Sequence, residues 1–238
     1  MNLNRLYNSF ASELANCAKY LTEDSVRYLF YSCMLQQDSN TNHYVMEVPY
    51  EMVRYPGKVS VLLSQPNSLI TSSSGRWLQE LDMLYDDVKN TTICVEVKFH
   101  RKGGLPSSFA HTDAAGRMIN DMRRLHLIKS ASGSSVIKLF VYVTDDEMHN
   151  YLSASQNVSS VINPEYRQAL SKFYLNGGSF SCSCPPMPNT FFAQANHSFN
   201  PHTSFSITAN RVFSKSVKSL SCSVLLNGNC HISVFAIM

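Results

Sequence analysis

The segment from residue 136 to residue 144 constrains the fold of this chain more than any other. It reads Val-Ile-Lys-Leu-Phe-Val-Tyr-Val-Thr, a nearly unbroken run of β-branched and aromatic side chains. Such a run is typical of a strand that is buried on both faces, because helices cover the sheet on each side. The sequence therefore predicts a layered fold with a central sheet protected by helices.

Helical and strand patterns precede this segment. Apolar side chains recur at helical spacing over residues 3–20 and again over 26–34, where Thr22 supplies an N-cap. Strand patterns follow in four segments, at residues 43–50, 59–63, 77–85 and 91–100. A further helix is predicted over residues 112–128. This order predicts an α/β (α+β) fold.

Charge divides the chain near residue 150. The whole chain carries 20 Lys and Arg against 17 Asp and Glu, a net charge of +3. Residues 1–150 hold 15 basic and 16 acidic side chains, whereas residues 151–238 hold 5 and 1. We therefore expect a core over 1–150 and a β-rich C-terminal extension or subdomain over 151–238. Because the net charge is small, any nucleic-acid binding would depend on a local basic patch.

The C-terminal part shows a helical pattern and three short strand patterns. The helix is predicted over residues 164–174, and the strands over 212–216, 221–226 and 231–237. The cysteines and histidine of this part, Cys182, Cys184, Cys222, Cys230 and His231, match no standard zinc spacing. We therefore expect these cysteines to be thiols.

The compartment is predicted from what the sequence lacks. The N-terminus has no continuous apolar segment of the kind found in signal peptides, and no apolar run approaches about 18 residues. The seven cysteines are an odd number and are scattered along the chain. We expect a cytoplasmic protein in a reducing compartment, without a membrane partner.

Three ionisable residues in the strand segments suggest a catalytic site. A strand has a period of two, so Glu96 and Lys98 project from the same face, roughly 7 Å apart along the chain. Asp82 precedes them on the neighbouring strand of a hairpin and can reach the same end of the sheet. Two converging carboxylates suit Mg²⁺, and a lysine beside them could stabilise charge on a phosphate. The arrangement predicts metal-assisted hydrolysis of a phosphodiester.

Asp82, followed after a turn by Glu96-Val97-Lys98, resembles the PD-(D/E)xK nuclease superfamily, which has the restriction-endonuclease-like fold. The context is similar too, with Glu23 in a preceding helix and a charged helix over residues 121–125. The family's proline is replaced by Leu81 before the first acid. The resemblance covers roughly residues 20–145. It implies an αβββαβ core with a central mixed sheet flanked by helices.

The resemblance also implies an activity and a cofactor. We expect a Mg²⁺-dependent endonuclease that cleaves DNA, with Mn²⁺ as a substitute ion. Asp82 and Glu96 would be metal ligands, Glu23 would be an optional third ligand, and Lys98 would be the charge-stabilising catalytic group. Glu23 could equally be an acid that complements the helix dipole. RNA remains open as a substrate, and so does a homodimer, because cutting both strands often requires two active sites.

Basic residues near this site could bind the nucleic-acid backbone. His100, Arg101 and Lys102 directly follow the second strand. Arg117 and Arg124 are seven residues apart on the predicted helix and share a face. We assign these five residues to phosphate contacts, with solvated surface charges as the alternative.

Two other functions remain open. The same fold could serve nucleic-acid binding or protein assembly without catalysis, in which case Asp82, Glu96 and Lys98 would form an ordinary surface ladder of charges. Their strongly apolar surroundings argue against that ladder, because charges there are costly without a ligand or partner. A hydrolase that uses the cysteine-rich C-terminal segment is the third candidate.

Overall fold

A computed structural model gives the fold. The structure describes residues 1–17, 21–49, 61–63, 80–87, 91–100, 111–130, 135–154, 164–184, 190–199, 202–218 and 229–238. It shows an α/β protein with a seven-stranded mixed sheet and helices on both faces, which confirms the predicted fold class. Within these residues, no helix is long and apolar enough to cross a membrane.

The described residues form six helices and nine strands. The helices are α1 (Leu3–Asn16), α2 (Glu23–Leu35), α3 (His111–Leu127), α4 (Asp146–Ser153), α5 (Pro164–Asn176) and α6 (Thr190–Ala195), with a 3-10 turn at Thr41–His43. The strands are β1 (Tyr44–Pro49), β2 (Val61–Leu63), β3 (Glu80–Asp86), β4 (Thr92–His100), β5 (Ile128–Ser130), β6 (Val136–Thr144), β7 (Gly177–Cys182), β8 (Phe205–Val217) and β9 (Cys230–Ile237).

The large sheet has the strand order β1-β3-β4-β6-β9-β8-β7. The first three strands run antiparallel to one another, and β6 lies parallel to β4. The last three strands are all antiparallel to their neighbours. Strands β2 and β5 form a separate antiparallel pair. The strands from the second part of the chain thus continue the sheet of the first part.

Each face of the sheet carries its own helical layer. The apolar face of β4 formed by Ile93, Val95 and Val97 packs in one cluster with α1 and α2. The opposite face, with Cys94, packs in a second cluster with α3, α4, α5 and α6. The predicted alternation of β4 is confirmed, and β6 is buried from Leu139 onward, as expected for a strand covered on both sides.

Several elements were not predicted. Helix α4 begins at the proposed boundary near residue 150, and α6 lies in a stretch without helical periodicity. Strand β7 lacks β-branched residues, yet it pairs with β8 along its whole length, so tertiary pairing rather than propensity forms it. Strand β8 is much longer than the predicted 212–216. The strand predicted over 221–226 lies outside the described residues.

The cysteines differ in their state. Cys33, Cys94 and Cys182 are buried thiols. Cys230 is disulfide-bonded, unlike the thiol expected from the sequence.

Candidate active site

The first turn of α2 holds Glu23 at one end of the sheet. Thr22 caps the helix: its hydroxyl accepts a hydrogen bond from the Ser25 amide, and the Ser25 hydroxyl accepts one from the Thr22 amide. This reciprocal capping fixes the start of the helix. Glu23 is therefore held at the helix N-terminus, where it meets the end of β4.

Asp82 lies where β3 and β4 cease to pair. Their register runs from Asp86–Thr92 to Met83–Val95, and extending it by one pair sets Asp82 opposite Glu96. Asp82 Oδ2 accepts a hydrogen bond of 2.6 Å from the Val97 amide, and Oδ1 lies 3.0 Å from Arg27 Nη2. Burial raises the pKa of the Asp82 carboxyl, although the Val97 amide and Arg27 oppose the shift.

Glu96 is the most deeply buried acid of the site, with only 1% of its surface exposed. Its Oε1 atom accepts a hydrogen bond of 2.6 Å from Arg124 Nη2. Burial raises the pKa of Glu96 to about 8, although Arg124 lowers it, and the nearby charge of Asp82 raises it further. The second oxygen, Oε2, is buried and has no hydrogen-bond partner in the described part of the chain.

Lys98 connects α2 to α3. Its Nζ donates to Glu23 Oε1 at 2.9 Å and lies 3.7 Å from Asp121 Oδ2. Burial alone would lower the pKa of Lys98, but the carboxylates of Asp121 and Glu23 raise it, so the ammonium group stays charged. The lysine predicted to stabilise charge is thus a cation held between two acids.

Glu47 belongs to the same cluster and has an unusual backbone. It lies on β1, and its φ of 52° is in the left-handed region that residues other than glycine rarely adopt. The paired residues of β1 and β3 include Met46–Met83 and Val48–Leu81 but omit Glu47. Its Oε1 lies 3.4 Å from Arg27 Nη1. Backbone strain of this kind is concentrated at functional sites.

The ion pairs of the site leave an excess of negative charge. Arg27 contacts four carboxylates, and Lys98 and Arg124 each contact two, with Asp121 shared between them. Among the described residues, three cations therefore face six acids, an excess of three formal negative charges when all are ionised. The acids are Glu23, Asp24, Glu47, Asp82, Glu96 and Asp121. This charge favours a cationic ligand.

The arrangement suits an ion bound by few protein ligands. Among the described side chains, no group of three His, Cys, Asp or Glu residues is placed to hold a metal. Mg²⁺, however, usually keeps several waters and takes one or two carboxylates together with substrate phosphates. Glu96 Oε2, which has no hydrogen-bond partner among the described residues, fits that donor set, whereas both oxygens of its electrostatic neighbour Asp82 contact Arg27 or the Val97 amide. Glu23, the optional third ligand, is already bound to Lys98.

The residues assigned to phosphate contacts lie in different environments. His100 is partly buried beside the Tyr142 hydroxyl, 2.7 Å from Nδ1, and burial lowers its pKa to about 4, so it is neutral at pH 7. The Arg117 side chain is 59% exposed and pairs with Asp113. Arg124 does not share that surface, because it lies inside the site against Glu96. Arg101 and Lys102 lie outside the described residues.

Sequence reasoning missed three members of the site. Arg27 follows Glu23 by four residues on α2, a spacing at which helical side chains meet. Asp121 precedes Arg124 by three residues on α3, which is the corresponding signal on that helix. Glu47 lies in a segment, residues 47–50, that resembles the family's strand before the hairpin, but its left-handed backbone appears only in the fold.

Comparisons of the chain with protein-family models, with curated proteins and with solved structures give no match.

Proposed function

We propose that this chain is a divalent-metal-dependent nuclease that hydrolyses phosphodiester bonds of DNA through Asp82, Glu96 and Lys98. The observation that carries the proposal is the buried Glu96 Oε2, which lacks a hydrogen-bond partner among the described residues in a cluster with excess negative charge. A buried carboxylate oxygen without a partner is costly. A bound cation would supply the missing interaction.

The element order supports the same proposal. Among the described elements, helix α2, strands β1, β3 and β4, helix α3 and strand β6 follow one another, with the 3-10 turn and the β2 and β5 segments of the small sheet between them. This αβββαβ order, with the last strand parallel to the third, agrees with the restriction-endonuclease-like core that the sequence resembles. Fold analogy alone does not establish an activity, so the residues of the site carry the proposal.

Each residue has a distinct role in the proposed reaction. Asp82 and Glu96 would hold Mg²⁺ or Mn²⁺, with Glu23 at the edge of the site. When bound, such an ion polarises the phosphate and lowers the pKa of a coordinated water. Lys98 would hold its ammonium group against a non-bridging phosphate oxygen and stabilise the charge that develops there. DNA is the preferred substrate, RNA is the alternative, and a homodimer would allow both strands to be cut.

A cleavage assay tests the proposal. The purified chain is incubated with supercoiled plasmid and with labelled single-stranded DNA, double-stranded DNA and RNA, in Mg²⁺, Mn²⁺ or EDTA. We expect cleavage that needs the metal and falls at least a hundredfold in Glu96→Gln and Lys98→Ala. Asp113→Asn is the matched control, because Asp113 lies on the exposed pair with Arg117. Cleavage that persists in both site variants would refute the assignment.

A second function has its own supporting observation. Arg27 and Arg124 already neutralise one oxygen each of Asp82 and Glu96, at 3.0 and 2.6 Å. A fold that had lost catalysis could use such pairs to keep its acids satisfied while it binds nucleic acid or assembles with a partner. This alternative predicts DNA binding in EDTA without cleavage, and no heat of Mg²⁺ binding in calorimetry.

A further inference from the structure

Asp121 lies inside the site because α3 packs on the face of β4 that carries Cys94, Glu96 and Lys98. Helix α3 is buried along most of its length, and Asp121 is among its buried residues. Asp121 Oδ1 lies 2.7 Å from Arg124 Nη2. Its other oxygen, Oδ2, lies 3.7 Å from Lys98 Nζ and has no hydrogen-bond partner in the part of the chain that is described.

Glu96 also pairs one of its carboxylate oxygens with the guanidinium group of Arg124. Glu96 Oε1 and Asp121 Oδ1 both contact Arg124 Nη2, which brings the two carboxylates side by side. Each carboxylate then keeps one buried oxygen that makes no hydrogen bond to any described residue. One guanidinium group balances only one of two ionised carboxylates, and buried polar atoms are rarely left without a partner.

We infer that Asp121 is a further cation-binding residue, which together with Glu96 binds a divalent ion such as Mg²⁺ or Mn²⁺, and that Arg124 is the positioning residue for both carboxylates. The inference rests on the proposed function, because the ion is the one proposed for the reaction. Asp121 is better suited to this role than Glu23, since Glu23 is more exposed and its Oε1 already accepts from Lys98.

Arg124 stabilises the two neighbouring carboxylates when no divalent ion is bound. Its guanidinium group holds one oxygen of each carboxylate, and the second oxygen of each makes no hydrogen bond to a described residue. Hard divalent ions take carboxylate oxygens as ligands, and Mg²⁺ accepts two of them while it keeps water molecules for the remaining positions. The positive charge of Arg124 limits the affinity, so we expect binding in the micromolar to millimolar range.

Mn²⁺ binding measured by electron paramagnetic resonance tests the inference without relying on activity. The free Mn²⁺ signal is titrated against the wild-type chain, Asp121→Asn and Asp113→Asn. Asp113 lies on the same helix and pairs with the exposed Arg117, which makes it the matched control. We expect at least a tenfold loss of affinity in Asp121→Asn and less than a twofold change in Asp113→Asn. Equal affinity in wild type and Asp121→Asn would overturn the inference.

A measurement on the wild-type chain covers the case in which Asp121→Asn fails to fold. Fe²⁺ with ascorbate and peroxide cleaves a backbone near the bound ion, and mass spectrometry maps the cuts. We expect cuts beside Glu96 in β4 and beside Asp121 in α3, suppressed by excess Mg²⁺. Cuts near Glu96 without any in α3 would overturn the role of Asp121.

The two proposals can fail separately. A chain that binds Mn²⁺ through Asp121 but cleaves no nucleic acid supports the inference and refutes the proposed activity. Mg²⁺-dependent cleavage, together with equal Mn²⁺ affinities in wild type and Asp121→Asn, supports the proposed activity and refutes the inference. A wild-type chain that binds no divalent ion overturns both, and a buried water molecule would then account for the two oxygens.

Discussion

Replacing Arg124 by glutamine should expose the energetic role of the buried ion pairs. Arg124 is 8% exposed and makes contacts of 2.6 and 2.7 Å with Glu96 and Asp121. Hydrogen bonds to charged groups contribute about 1.5–3 kcal/mol each. Removing one partner of a buried pair costs about 3–5 kcal/mol, because the remaining charges are left uncompensated.

The loss should lie near the lower end of that range. Burial raises the pKa of Glu96 to about 8 even beside Arg124, so at pH 7 Glu96 is largely protonated and leaves no bare buried charge when Arg124 is absent. We therefore expect the free energy of unfolding in EDTA to fall by about 3 kcal/mol. For a chain of this size that corresponds to a fall in Tm of about 10 °C.

Mg²⁺ should restore part of this stability. An ion that binds only the folded state stabilises it by about 2.7 kcal/mol when its concentration is a hundredfold above Kd. Without Arg124 the two carboxylates should bind the ion more tightly than in the wild type. The gain in stability from Mg²⁺ should therefore be larger in Arg124→Gln than in the wild-type chain.

Urea unfolding followed by circular dichroism, in EDTA and in Mg²⁺, measures both effects. Arg117→Gln is the control, because its pair with Asp113 is exposed and should contribute only about 0.3–0.5 kcal/mol. If Arg124→Gln costs no more than Arg117→Gln, the pairs are not the buried ones described here. If Mg²⁺ stabilises wild type and variant equally, Glu96 and Asp121 do not share a cation.

Three further predictions concern pH and buried charge. Burial lowers the pKa of His149, which stacks on His231, to about 4. An unfolded histidine titrates near 6.5, so between pH 4 and 6.5 the unfolded chain binds one more proton than the folded chain. The free energy of unfolding should therefore rise with pH across that window and level off above it. Urea unfolding at pH 5 and 7 should show a smaller difference in His149→Phe, and an unchanged difference would contradict this. The guanidinium nitrogens of Arg167 are buried and have no hydrogen-bond partner among the described residues, whereas Arg123 donates two hydrogen bonds of 2.6 and 2.7 Å. Arg167→Leu should therefore be neutral or stabilising by about 1 kcal/mol, and Arg123→Leu should cost about 3 kcal/mol; equal losses of Tm would refute the comparison. Calorimetric Mn²⁺ affinity should increase about tenfold per pH unit between pH 6 and 8, because the ion displaces the proton held by Glu96, and affinity independent of pH would place the ion elsewhere.

The strongest local patterns gave reliable predictions of the fold. The run at 136–144 matches the bounds of β6, and the helix predicted over 112–128 matches α3 within one residue at each end. In both cases the periodicity of the buried side chains was decisive, and periodicity is encoded locally. Strand β7 could not be predicted, because it begins with two glycines, has no β-branched residue and forms through its partner β8.

The site was only partly accessible from the sequence. Glu96 and Lys98 share a face because a strand alternates, which sequence alone dictates. Periodicity also set Arg117 and Arg124 on one face of a helix, but it does not say what covers each end of that face. The structure buries Arg124 against Glu96 and leaves Arg117 exposed. Asp121 enters the site only because α3 packs across β4, a contact between residues far apart in sequence.

Strand β9 has a consequence for folding during synthesis. It pairs with β6 on one side and β8 on the other, so it completes the middle of the sheet after both neighbours have been made. About 85 residues separate the end of β6 from the start of β9, which a ribosome adds in roughly 4–17 s. Throughout that interval β9 is missing, so one edge of the apolar strand β6 is unpaired. Until β9 emerges, that unpaired edge is a place where another strand can pair with the nascent chain.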